Sequence, residues 1–221
     1  AFDLNTIEGS EIVVRRAADG EKIVTLDEKE FTLNRDNLVI CDGKKPAALA
    51  GIMGGLNTEI KDNTKEVLFE AAKFARDSVR RTSRSLGQHS DSSAIFEKGT
   101  NEYTTERAMK RALHLIQKLD CGTVTDACAD IKTEYSDTDV KKMSVKPEKI
   151  NALLGIEVPV DVMTDILERL NFGVKRSGDE LELTLPRYRD DIFSYPDIAE
   201  EIIRMYGYDH INGTFMPTGK I

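Results

Sequence analysis

In the first part of this chain the apolar residues come in short runs broken by turn formers. Residues 12–15 and 22–26 are separated by Ala18-Asp19-Gly20, and residues 31–33 and 38–41 by a polar stretch from Asn34 to Asn37. That rhythm predicts short β-strands joined by tight turns. Residues 47–53 are apolar at nearly every position, as in a central strand covered on both faces. Gly54-Gly55-Leu56-Asn57 then reads as a loop, and residues 67–72 as a further buried strand that carries one charge, Glu70. Beyond it the period lengthens. Residues 75–86 predict a helix closed by Gly87. Residues 102–119 predict a longer one whose apolar face is Ala108, Ala112, Leu115, Ile116 and Leu119. Residues 124–131 read as a strand, and the polar stretch 134–142 as a domain boundary.

After residue 143 the order of elements changes. Residues 147–154 predict a short helix ended by Gly155. Residues 159–170 predict a second, started by Pro159, with Val162, Ile166, Leu167 and Leu170 as its inner stripe. Residues 174–176 and 181–185 flank Ser177-Gly178-Asp179 as a hairpin, and a last helix covers residues 196–205 and stops before Gly207. Helix, helix, hairpin, helix resembles a winged-helix module. The expected class is α+β throughout. A mixed or antiparallel sheet with packed helices fills residues 1–140, and a small winged-helix-like domain with a C-terminal linker fills residues 141–221.

Composition narrows the function. At 40% hydrophobic and 32% charged the chain reads as a soluble globular protein, and no apolar run approaches the roughly 18–20 residues of a membrane helix. A net charge of −8 argues against a general nucleic-acid coat, while leaving room for a local contact with one nucleic-acid end. The helix of the winged module that would enter a DNA groove carries Asp161, Asp165 and Glu168 against Arg169 alone. DNA is therefore not the expected partner. Cys41, Cys121 and Cys128 are odd in number and irregularly spaced, which fits buried thiols in a reducing cytoplasm better than disulfides or zinc. The start at Ala1-Phe2-Asp3 has no signal-peptide pattern and reads as the beginning of a piece of a longer chain.

Candidate chemistry concentrates in residues 47–99. The glycines Gly51 and Gly54 allow backbone to approach a ligand closely. A Glu inside an apolar strand is costly unless something pairs with it. Glu70 is therefore either a ligand-seeking acceptor or one half of an ion pair with a nearby arginine. Arg76, Arg80 and Arg84 are spaced to share one helix face, suited to phosphates or to plain solvation. Asp191, Asp197, Glu200 and Glu201 form an acidic cluster that suits Mg²⁺, or that favours a helix N-terminus without any metal.

Several separated motifs give the chain a family resemblance: Ala1-Phe2-Asp3 with Ile7-Glu8-Gly9; Ala50-Gly51-Ile52-Met53-Gly54-Gly55; Val67-Leu68-Phe69-Glu70-Ala71-Ala72; Arg80-Arg81-Thr82 through Leu86-Gly87; Ser90-Asp91-Ser92-Ser93 with Phe96-Glu97-Lys98-Gly99; and Pro186-Arg187-Tyr188-Arg189-Asp190-Asp191-Ile192, followed by Tyr206-Gly207-Tyr208. In this order the set resembles an internal piece of the β subunit of bacterial phenylalanyl-tRNA synthetase, a class II aminoacyl-tRNA synthetase.

The resemblance implies that residues 1–140 are an editing domain that hydrolyses tyrosine mischarged onto tRNA(Phe), and that the rest is the family's small fifth domain. It implies Glu70 as acceptor for the tyrosine hydroxyl, with Gly51, Gly54, Ser90 and Ser92 lining the same pocket. Family members often carry Thr and Ala where this chain has the two serines. It implies a His directly before Ala-Phe-Asp, a position outside this sequence and not supplied by His89, His114 or His210, so no catalytic residue is assigned. It implies tRNA(Phe), through its 3′ end, and an α subunit as partners in an α2β2 assembly. The α subunit supplies ATP, phenylalanine and catalytic magnesium chemistry, and the Asp191–Glu201 carboxylates form a magnesium site shared with it. The alternative is a non-catalytic scaffold or interaction module of a synthetase assembly.

Overall fold

The computed structural model describes residues 1–133 and 139–213. Most of the boundary expected at residues 134–142, and the C-terminal linker from residue 214 onward, lie outside the described residues. The chain divides into two compact units, Ala1–Glu134 and Tyr135–Ile221. Both mix helices with antiparallel strands, which is the α+β class expected.

In the first unit the strands are β1 (Phe2–Asp3), β2 (Val13–Arg16), β3 (Lys22–Val24), β4 (Glu30–Thr32), β5 (Leu38–Cys41), β6 (Pro46–Leu49), β7 (Met53–Gly54) and β8 (Val67–Leu68). A four-stranded antiparallel sheet has the order β2-β5-β6-β7; β3 pairs with β4, and β1 with β8. All four residues of β6 are buried, as an interior strand requires. The apolar run 47–53 is nevertheless two strands. The chain reverses at Ala50-Gly51, where the Ile52 N–H donates to the Leu49 carbonyl at 3.0 Å, and Gly54 belongs to β7 rather than to a loop. The helices are α1 (Arg76–Leu86), α2 (Asp91–Phe96) and α3 (Glu102–Lys118). Helix α1 packs on β5 and α2, and closes at Gly87, whose φ of 63° supplies the left-handed cap.

Other expectations also fail in this unit. Strand β8 ends at Leu68, so Glu70 lies past it in irregular chain rather than in a buried strand. Residues 124–131 form no strand; they are irregular and mostly exposed, with Ile131 90% exposed. The apolar side of α3 is not a core face. None of its residues is buried, Ala108 is exposed, and Leu119 lies beyond its end. Of the three thiols only Cys41 is buried.

The second unit begins with a strand the pattern did not show, β9 (Lys142–Val145). Then follow α4 (Pro147–Leu154), α5 (Val160–Arg169), the hairpin β10 (Gly173–Ser177) and β11 (Glu180–Thr184), and α6 (Tyr195–Tyr206). Strand β9 pairs with β11, giving the order β10-β11-β9. Helix α6 packs on α4 and α5, and its Ile198 and Ile202 are fully buried beside Ile150, Met163, Leu167 and Leu183.

Candidate functional site

The glycine turn is the centre of the first unit's candidate site. Gly51 has φ of 70°, a left-handed conformation that a side chain strongly disfavours. A Cβ there would also stand 3.0 Å from Phe74, 3.1 Å from Val79 and 3.3 Å from Phe96. The Phe74 and Phe96 rings meet at 5.2 Å between centroids, tilted by 54°, so the turn rests on an aromatic wall. Gly54 faces elsewhere: its Cβ position lies 3.1 Å from Leu26.

Two serines clamp that turn. The Ser90 hydroxyl donates to the Ile52 carbonyl at 2.6 Å, and the Ser92 hydroxyl donates to the Gly51 carbonyl at 3.0 Å. Ser90 also caps α2, accepting from the Ser93 N–H at 3.0 Å, while its own N–H donates to Ser93 Oγ at 2.9 Å. The structure thus brings Gly51, Ser90 and Ser92 into one contact group. Both hydroxyl protons are already given to backbone carbonyls, so neither serine is a free nucleophile. Beside them His89 Nδ1 lies 2.9 Å from Ser83 Oγ, which itself lies 2.8 Å from the Gln88 carbonyl. Ser83 has one proton and the carbonyl can only accept. The network therefore assigns the proton to Nδ1 and leaves Nε2 of the exposed ring as an acceptor.

Glu70 sits at the exit of the β1–β8 ladder. Phe2 pairs with Leu68 and Asp3 with Val67, so the same register puts Glu70 opposite the position preceding Ala1. It makes no ion pair with an arginine and no hydrogen bond among the described residues. Glu70 is exposed, yet the protein crowded around its carboxyl desolvates it and raises its pKa, an effect opposed by the α-amino charge of Ala1. Four residues on, Phe74 reaches the Gly51 turn, and Lys73 pairs with Glu102 at the start of α3 at 2.9 Å.

Arg76, Arg80 and Arg84 lie on the exposed side of α1, opposite the buried Ser78, Val79, Thr82 and Ser83. Arg76 stands 3.9 Å from Asp77; Arg80 and Arg84 have no partner among the described residues.

The second unit's carboxylates do not gather around a metal position. Arg189 holds Asp191 through two bonds of 2.7 Å and Glu201 through one of 2.8 Å, and Arg204 holds the other Glu201 oxygen. Asp197 closes the N-terminal cap of α6, accepting from the Phe193 and Ser194 N–H groups at 2.9 and 2.8 Å. Glu200 points to solvent while Glu201 is buried. The arginines hold the pKa values of Glu201 and Asp191 down, and the cap amides do the same for Asp197. Among the described residues no group of three or more His, Cys, Asp or Glu could hold a metal ion. In this chain Asp191 and Glu201 are held by arginines, Asp197 caps α6 and Glu200 faces solvent, so the four expected magnesium ligands Asp191, Asp197, Glu200 and Glu201 do not converge among the described residues.

Residues 1–121 match the B3/4 domain family and residues 143–208 match the tRNA synthetase B5 domain family. The chain is 42% identical over 214 residues to the phenylalanine–tRNA ligase beta subunit of Syntrophus aciditrophicus, covering 96% of this chain and 26% of that protein. It is 41% identical over 223 residues to the same subunit of Latilactobacillus sakei, covering 100% of this chain and 27% of that protein. The chain therefore spans about a quarter of the length of these relatives. A crystal structure of an N-terminal fragment of the phenylalanyl-tRNA synthetase beta subunit from Pyrococcus horikoshii overlaps 94% of this chain and 59% of that one, with a TM-score of 0.49 at 18% identity.

Proposed function

Because this chain belongs to the phenylalanine–tRNA ligase β-subunit family, we propose that its first unit is an editing domain that releases tyrosine from mischarged Tyr-tRNA(Phe). Glu70 carries the reading: a carboxyl without a partner among the described residues, in a crowded setting, close in sequence to the aromatic wall under the Gly51 turn.

In the free chain Glu70 is still open to water on one side, so selectivity arises when an aminoacyl end covers it. A tyrosine hydroxyl then replaces the lost water. A phenylalanine ring leaves the carboxyl dry and unpaired, which costs about 1–3 kcal/mol, more for a charge. A second, hydrolytic site of this kind suits a synthetase whose first site separates two amino acids that differ by one hydroxyl. The reaction is attack of water on the ester carbonyl. The bond to the ribose oxygen breaks, releasing tyrosine and restoring the tRNA hydroxyl. The clamped Ser90 and Ser92 hold the turn in shape, and Gly51 lets that turn pack closely on Phe74 and Phe96.

In this reading the second unit is a B5-type domain serving an assembly with an α subunit and tRNA(Phe) in the cytoplasm, and the ATP and magnesium chemistry of aminoacylation belongs to that partner. Among the described residues no helix is long and apolar enough to cross a membrane.

The test is tyrosine release from Tyr-tRNA(Phe) by three proteins: this chain, a chain extended upstream so that the strand continues opposite Glu70, and the extended chain with Glu70→Ala. The extended protein should release tyrosine faster than the short one. Glu70→Ala should narrow its preference for Tyr-tRNA(Phe) over Phe-tRNA(Phe) by about 5- to 150-fold. Absence of hydrolysis by the extended protein would leave the non-catalytic scaffold as the better reading.

A further inference from the structure

Helix α3 carries a second feature that none of the candidate residues explains. Arg107, Arg111, His114 and Lys118 recur at intervals of four, three and four, so they form one stripe along the helix. All four are exposed, whereas Met109, Ala112, Leu113 and Ile116 on the opposite side are half-buried. The stripe therefore faces directly away from the body of the unit. It extends about 16 Å at 1.5 Å per residue. No carboxylate among the described residues pairs with Arg107, Arg111 or Lys118. Lys110, off the stripe, is the one taken by Glu106, at 2.5 Å. At the N-terminal end Arg107 lies 5.8 Å from the centre of the Tyr103 ring, so the cationic row ends on an aromatic face. For a chain of net charge −8, a row of two arginines, a histidine and a lysine with no carboxylate partner among the described residues is a strong local departure.

The start of the row is tied to the candidate site. Glu102 at the first position of α3 pairs with Lys73, three residues after Glu70. Helix α3 is thus anchored at its first residue to the segment that carries Glu70, and Arg107 follows five residues on, on the outward side of the helix. A polyanion whose end occupies the Glu70 site would have its backbone within reach of that row.

We propose that the outward face of α3, formed by Arg107, Arg111, His114 and Lys118, binds the phosphate backbone of RNA and tethers an acceptor strand whose terminus enters the Glu70 site. The inference takes from the editing reading that an RNA is the ligand, and it assigns the contact to a surface separate from the pocket. Such a face binds through charge, with no base recognition, so it shows itself in salt dependence.

The test is tRNA binding by fluorescence anisotropy over a range of KCl concentrations, using the whole 221-residue chain. Arg107→Gln, Arg111→Gln and Lys118→Gln combined should flatten the plot of log affinity against log salt by about 2 to 3 units, at roughly 0.7–0.9 per phosphate contact. Arg107→Lys with Arg111→Lys should keep the slope, and circular dichroism should show α3 intact in both. Glu70→Ala, measured in parallel, should leave the slope unchanged while affecting tyrosine release, so failure of the tether and failure of the editing reading are told apart. An unchanged slope in the folded Gln variant overturns the proposal. So does loss of binding to polyglutamate with tRNA binding intact, which would assign the face to an acidic protein.

Discussion

Glu70 is the residue whose chemistry departs furthest from its surroundings. Desolvation raises its pKa, and the α-amino charge of Ala1 pulls it back. A carboxyl with a raised folded-state pKa stabilises the fold in its neutral form. That contribution is full below the ordinary value near 4.5 and is lost as pH rises through the raised one. Glu70→Gln should therefore equal the parent in stability near pH 4 and exceed it at pH 7, in denaturant melts run at both. The Glu70 titration midpoint, followed by carboxyl-carbon NMR, should lie above the ordinary carboxylate value; a midpoint at or below it would refute this account of the site. The singular character of Glu70 was visible in the sequence, because a charge amid Val67, Leu68, Phe69 and Ala71 calls for a reason. Its exposure was not visible, because where the strand ends depends on its partner. Strand β1 pairs with β8 at Phe2↔Leu68 and Asp3↔Val67, and the same register sets Glu70 opposite the position preceding Ala1.

At the scale of elements the decisive contact is between α2 and the β6–β7 turn. Helix α2 is six residues long and polar at its start, too short for an apolar period to announce it. Its existence rests on the Ser90 and Ser93 capping box and on the grip of Ser90 and Ser92 on the two carbonyls of the turn. Ser90→Ala removes the cap and the Ile52 bond together. The expected loss is about 1–2 kcal/mol from the cap and about 1 kcal/mol from the bond. Gly51 should gain mobility, seen as faster amide exchange at Ile52 and Met53. Ser90→Thr keeps the hydroxyl and should restore most of the protection; if it does not, the hydroxyl clamp is not what holds the turn. Helix α3 shows the opposite limit of sequence reading. Its length and type were legible, since 102–119 was expected and Glu102–Lys118 is observed. Its orientation was not. A row of Ala and Leu at helical spacing reads as a core face, whereas the cationic row at Arg107, Arg111, His114 and Lys118 is what marks the outward side.

For the molecule as a whole, the two units differ in how completely their local patterns specify them. The second was legible as helix, helix, hairpin, helix because its elements carry their own start, turn and stop signals: Pro159 starts a helix, Gly178 turns the hairpin, and Gly155 and Gly207 end helices. Strand β9 was missed, since a four-residue edge strand exists through its pairing with β11. The acidic cluster in that unit is close in sequence without converging in space: two guanidinium groups hold both oxygens of Asp191 and of Glu201, and the helix cap takes one oxygen of Asp197. Mg²⁺ wants near-octahedral oxygen ligands and gives up its waters reluctantly, so it does not compete well with a bidentate arginine. Millimolar MgCl2, against EDTA at matched ionic strength, should therefore leave the melting temperature of this chain unchanged. A site filled a hundredfold above its dissociation constant would add about 2.7 kcal/mol and be plainly visible. Arg189→Gln should reverse the outcome in part. It frees both Asp191 oxygens and one of Glu201, lowers stability without metal, and lets Mg²⁺ recover some of the loss. Recovery in the parent chain, with Arg189 in place, would mean that the cluster opens to take a cation.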